Sequence, residues 1–163
     1  MLISFVSLPA HARIWIFQSA HKLSEQLHHK ISADIQDFIS TWKSHDHEVS
    51  AGYAILENTF VIIGAEDTAS GCSVDKLHHF VQHLNEKHHI DLLDRRMIII
   101  TPDGTYYLPL PELRNAISEG KIMHDDYIYM NNITQKHELQ TLWKIKISDS
   151  FLKKYLPQAV QHS

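Results

Sequence analysis

Residues 53–65, YAILENTFVIIGA, decide the fold: Tyr53 to Leu56 and Thr59 to Ala65 are apolar, β-branched-rich runs, and Glu57-Asn58 between them is the short polar break of a β-hairpin. Upstream, Leu27, Ile31, Ile35, Phe38 and Trp42 recur at spacings of three and four, which lines one face of a helix starting near Ser24. Ile14-Trp15-Ile16-Phe17, further upstream, reads as a first strand. Downstream, at about 100° per residue, Val74, Leu77, Val81, Leu84 and His88 fall on one helical stripe that ends near His89. Met97 to Thr101 is β-prone, Pro102-Asp103-Gly104 is turn chemistry, and Tyr106-Tyr107-Leu108 can pair back as a strand. Strand, helix, two strands, helix, strand is the order of a ferredoxin-like βαββαβ unit, so the expected class is α+β, with an antiparallel sheet on two helices over residues 14–108.

The rest reads as a C-terminal α/β extension over 109–156. Pro111 to Glu119 suits a helix, with proline near its first turn and Gly120 past its end. Tyr127 to Met130 reads as a strand, Thr134 to Trp143 as a helix, and Ser148 to Leu156 as a short helix closed by Pro157. Residues 157–163 form a polar tail expected to fray. Trp15, Trp42 and Trp143 are spread along the chain as core or interface anchors. With 163 residues, 44% hydrophobic, one domain is the default.

Net charge is −4 with the fourteen histidines neutral, so no overall basic balance invites nucleic acid. Cys72 is the only cysteine. That excludes an intrachain disulfide framework and a cysteine-rich zinc site, and fits a reducing, cytoplasmic compartment. Met1 to Leu8 is mostly apolar and Ala10-His11-Ala12 resembles a cleavage site. No Lys or Arg precedes the apolar stretch, however, and the segment runs straight into the first strand, so it reads as an ordered lead-in. No apolar run approaches the roughly 20 residues that span a bilayer.

The chemically suggestive stretch is Ser70-Gly71-Cys72-Ser73-Val74-Asp75, between the hairpin and the second helix. Gly and Ser expose backbone N–H groups at a helix N-terminus, where partial positive charge binds anions and favours a thiolate at Cys72. Ser70, Gly71 and Ser73 would then donate to an oxyanion or phosphate. Asp75, expected at the second or third helical position, would instead cap those N–H groups and disfavour a second negative charge. The plainer reading is a small buried cysteine in a helix cap. A phosphate loop is excluded: six residues rather than four separate Gly64 from Gly71, Cys72 stands where lysine is needed, and Glu66 and Asp67 would repel phosphates.

His79 and His83, with Glu86 three further on, set three metal-ligand types on one helical face, but the spacing is not that of a zinc protease and the face lies opposite the apolar stripe. No metal or other cofactor is expected. His45-Asp46-His47 reads as a polar loop rather than a His–Asp catalytic pair, and Asn131-Asn132 as a turn.

Several pieces together resemble a family of uncharacterised bacterial proteins of Bacteroidetes type, often labelled "ABC transporter ATPase". They are Ala12-Arg13-Ile14-Trp15-Ile16-Phe17-Gln18, Trp42, Ala69-Ser70-Gly71-Cys72-Ser73-Val74-Asp75, Asn131-Asn132, and Trp143 with Ser148 to Ser150. The resemblance spans nearly the whole chain and implies no activity or functional residue; the phosphate-loop comparison gives the label no support. The helix from Pro111 through Gly120-Lys121-Ile122 also faintly resembles the second half of small GYF-type modules. The resulting expectation is a non-catalytic cytoplasmic binding protein, a homodimer through an open sheet face or edge, with a thiol enzyme or small-ligand site at Cys72 as the alternative.

Overall fold

In the computed structural model, which describes residues 1–66 and 71–158, strand β1 spans Arg13–Gln18. Helix α1 (Glu25–Thr41) follows where the periodicity puts it: the Ser24 hydroxyl caps it by accepting from Leu27 N–H at 3.1 Å, and Ile31, Ile35 and Ile39 are buried. A short hairpin of β2 (Lys43–Ser44) and β3 (His47–Glu48) leads into β4 (Ala51–Leu56) and β5 (Phe60–Ala65). Glu57 and Asn58 take left-handed φ values of 55° and 50°, the mirror-image turn whose twist matches that of the strands it joins. Helix α2 runs Gly71–His88.

These elements belong to the first of two compact units, Met1–Asp94 with Thr134–His137. Its sheet has the order β1-β5-β4, both pairings antiparallel. Trp15, Phe17, Val61 and Ile63 point to one face, where they are buried with Ile31, Ile35 and Ile39 of α1 and Leu77, Val81 and Leu84 of α2. The other face is crossed by the N-terminal segment. Gly52 sits under the backbone of Ile3 and Phe5, and Gly64 under the side chains of Leu8 and Phe5.

The two helices are tied across by Asp34 of α1, which accepts hydrogen bonds from Lys87 Nζ at 2.8 Å and from His88 Nε2 at 2.7 Å. Burial pushes the Asp34 carboxyl up, but the hydrogen bonds and charges of Lys87 and His88 outweigh it and hold the carboxyl below its ordinary value. A depressed folded-state value stabilises the fold above the unfolded carboxyl's pKa of about 3.9 and is lost as pH falls through the folded one. Asp34→Asn is therefore expected to cost about 1–2 kcal/mol near neutrality, with the gap from the parent narrowing below pH of about 4. Urea unfolding of both proteins across that range checks it, and a gap independent of pH would refute the assignment.

The second unit, Arg95–Ile133 with the chain from Glu138 onward, begins with β6 (Met97–Thr101), β7 (Gly104–Leu108) and α3 (Leu110–Ser118). It continues with β8 (Tyr127–Tyr129) and β9 (Lys144–Lys146), and its antiparallel sheet has the order β7-β6-β8-β9. Gly120, at φ 76°, ends α3 as expected. Ile99, Leu113, Ile117, Ile128, Ile147 and Leu152 form its core.

The α+β class thus holds, but the ferredoxin-like span 14–108 needs correcting at its last strand. β6 does not join β1; its two edges are taken by β7 and β8. The free edge of β1 is occupied instead by Gln135 and Leu93, with Ile14 N–H bonded to Thr134 O at 2.9 Å. The helix expected over 134–143 is likewise replaced, with only Lys136–Leu139 forming a 3-10 turn. Thr134 is held beside β1, and Met130 N–H bonds Trp143 O at 2.6 Å. Ser148 to Leu156 holds the end of one 3-10 turn (Ile147–Asp149) and a second (Phe151–Tyr155) rather than one helix. Among the described residues no helix is long and apolar enough to cross a membrane.

Candidate functional site

The first described residues of α2 differ from their sequence reading. Among the described residues the helix runs from Gly71, which puts Asp75 at least five residues into it, and no acidic side chain lies in the first described turn. Only the first four N–H groups of a helix lack internal partners, so Asp75, which is exposed, is too far along to cap them. Cys72, expected to be buried, is exposed on α2. Ser73 is the buried one, at 1% exposure, and its carbonyl accepts the Trp42 indole N–H at 2.9 Å. Gly71 is exposed and Ser70 lies outside the described residues. Of the five residues singled out in this stretch, Gly71 and Cys72 therefore face solvent, Ser73 serves the core, and Asp75 is exposed further along α2.

His79 and His83 are exposed on α2, and among the described residues no three potential ligands converge on a metal position. His45 and Asp46 are the turn of the β2–β3 hairpin, both with left-handed φ (50° and 64°). That backbone role suits His and Asp, which adopt the left-handed region more readily than most residues. Asn131 Oδ1 accepts the Trp143 indole N–H at 2.9 Å, which fixes the turn after β8 and buries the tryptophan.

A different site emerges at the outer edge of β4. Ala51 turns its backbone outward, its N–H bonding Met1 O at 3.0 Å and its C=O accepting Ile3 N–H at 2.8 Å. The N-terminal residues thus add a short parallel rung to the sheet. Alternation along the strand turns the N–H and C=O of Tyr53 and Ile55 the same way, and among the described residues no backbone group bonds them there. Beside these open rungs lies a cleft of about 510 Å³, a size that holds a small ligand or short segment. Tyr53–Ile55 border it, Leu2–Phe5 wall one side, and His28, Ser32 and Gln36, four apart on α1, wall the other. Gln36 Nε2 donates to Tyr53 Oη at 2.8 Å, and His28 Nδ1 pairs with Asn58 Oδ1 at 2.9 Å, tying α1 to the hairpin. Among the described residues no Asp, Glu, Lys or Arg lines this cleft.

Sequence reasoning missed this edge, because which strand is outermost depends on sheet order. The available signal was negative. Ala51–Leu56 carries neither the charged residue nor the proline with which exposed edge strands protect themselves. Compared with known proteins, the chain matches no family model, no curated protein and no solved structure.

Proposed function

We propose that the chain is a non-catalytic interaction protein that takes an extended polypeptide segment along the outer edge of β4. The observation that carries this reading is the pair of open backbone rungs at Tyr53 and Ile55 beside an uncharged cleft. Strand addition draws affinity from main-chain hydrogen bonds and selectivity from pockets for alternate side chains, and this edge offers both. Within the same proposal, the first unit is a ferredoxin-like arrangement without its last strand, since β5 is inserted between β1 and β4 as in a split βαβ unit. The lone cysteine supports a cytoplasmic setting, and the motifs of the uncharacterised bacterial family remain the proposed kinship. The alternative, a thiol or anion site at the start of α2, is favoured by the exposure of Cys72.

A peptide spanning Ala51–Leu56, with added lysines at both ends for solubility, tests the reading because this strand already pairs within the sheet. In backbone NMR of the dilute protein, its addition is expected to shift and protect the Tyr53 and Ile55 amides and to perturb Leu2–Phe5 and Ser32. Ile55→Pro, which removes one outward N–H, should abolish the effect, and Cys72→Ala should leave it intact. Perturbation that avoids β4 would overturn the proposal, and its loss in Cys72→Ala would move the site to α2.

A further inference from the structure

Resting on that reading, we propose that the segment taken by the edge is β4 of a second copy, paired antiparallel about a two-fold axis at Ala54. Antiparallel edges bond through outward-facing residues, which here are Tyr53 and Ile55, Ala51 being engaged by Met1 and Ile3. Setting Tyr53 opposite Ile55 of the second copy pairs every open N–H and C=O of both strands at once and leaves the Ala51 rung undisturbed. Pairing Tyr53 with Tyr53 would bring Ile55 opposite the occupied Ala51. Pairing Ile55 with Ile55 would bring Tyr53 opposite the turn residue Glu57, so one register satisfies both strands.

Side chains favour the same arrangement. A two-fold interface places each residue type against itself or its near neighbours, so charges would meet like charges. The strand and its cleft have none. The axis falls on Ala54, whose methyl suits the close spacing of a pair that exchanges no backbone bonds. Each chain then turns at Glu57-Asn58 toward its own β5 and leaves the shared edge. The result is one sheet continuous across two copies.

Sedimentation of the full chain from low to high micromolar concentration is expected to show a monomer–dimer equilibrium. Ala54→Lys, which opposes like charges across the axis, should weaken the dimer at least tenfold, as should Ala54→Glu. An equimolar mixture of the two should restore a heterodimer, which excludes misfolding as the cause. Ile55→Pro should weaken it similarly while preserving the circular dichroism spectrum. A chain that stays monomeric yet still binds the β4 peptide would overturn this inference and leave the proposed function standing. A dimer indifferent to the Ala54 charges would overturn it too. A monomer that also ignores the peptide would sink both.

Discussion

Trp42→Ala is expected to lower the stability of the first unit by about 3–5 kcal/mol, the range for deleting a large aromatic from a core. Trp42 is 2% exposed and does three things at one position. It closes α1, its N–H bonding Ile39 O at 3.2 Å, and at ψ 122° it turns the chain into β2. Its ring meets Trp15 edge-on at 6.0 Å and Phe38 at 5.3 Å. Its indole N–H donates to Ser73 O, which holds α2 at Ser73 against the end of α1. Alanine removes the ring and that bond and leaves a cavity between two helices and the sheet. Trp42→Phe retains most of the apolar area and loses the buried hydrogen bond, for a cost of about 1 kcal/mol. Against a total of about 5–15 kcal/mol for a typical domain, only the alanine variant should approach unfolding at ambient temperature. Urea titrations followed by the circular dichroism of the helices measure both, and a loss below about 1 kcal/mol for Trp42→Ala would contradict the packing described.

What could be read from the chain alone follows the range of the interactions involved. The β4–β5 hairpin and α1 depend on contacts a few residues apart, and residues 57–58 and Ser24 mark their ends in the sequence and in the structure alike. The stripe on α2 was equally legible: Leu77, Val81 and Leu84 are buried and His88 reaches Asp34. Which of its first described residues face inward was not. Cys72 is exposed and Ser73 is turned inward, an assignment that propensity does not resolve because Gly, Cys and Ser are all weak helix formers. The failures with larger consequences are non-local. Nothing within Met97–Thr101 says that its neighbours will be β7 and β8 rather than β1. Lys144–Lys146 becomes a strand only because β8 is there to pair with it. The candidate site belongs to this second group, since an open edge is a property of the assembled sheet. A cysteine beside a helix start is visible within one segment of sequence, whereas the open edge of β4 is not.

The N-terminal segment gives the second large effect, through Gly52. A Cβ there would lie 2.7 Å from Ile3 O, 2.9 Å from Phe5 N and 3.0 Å from Phe5 Cα, all backbone atoms that no side-chain rotation can move aside. Gly52→Val must therefore push Ile3–Phe5 off the sheet or distort β4, at about 3 kcal/mol, the upper end for overpacking a tight site. Gly64 provides the internal contrast. Its closest neighbour, at 2.6 Å, is Leu8 Cδ1, the end of a flexible side chain, so Gly64→Ala should cost distinctly less. Displacing the segment also removes the Met1 and Ile3 bonds to Ala51 and one wall of the cleft, which lengthens the open edge while exposing apolar surface on the crossed face. Gly52→Val should accordingly show rapid amide exchange at Ile3 and Ala51, stronger binding of a hydrophobic dye, and association that no longer depends on the charge placed at Ala54. If Gly52→Val exchanged at those amides as slowly as the parent, the N-terminal residues would not be what covers this face, and the boundary they set on the β4 edge would have to be drawn elsewhere.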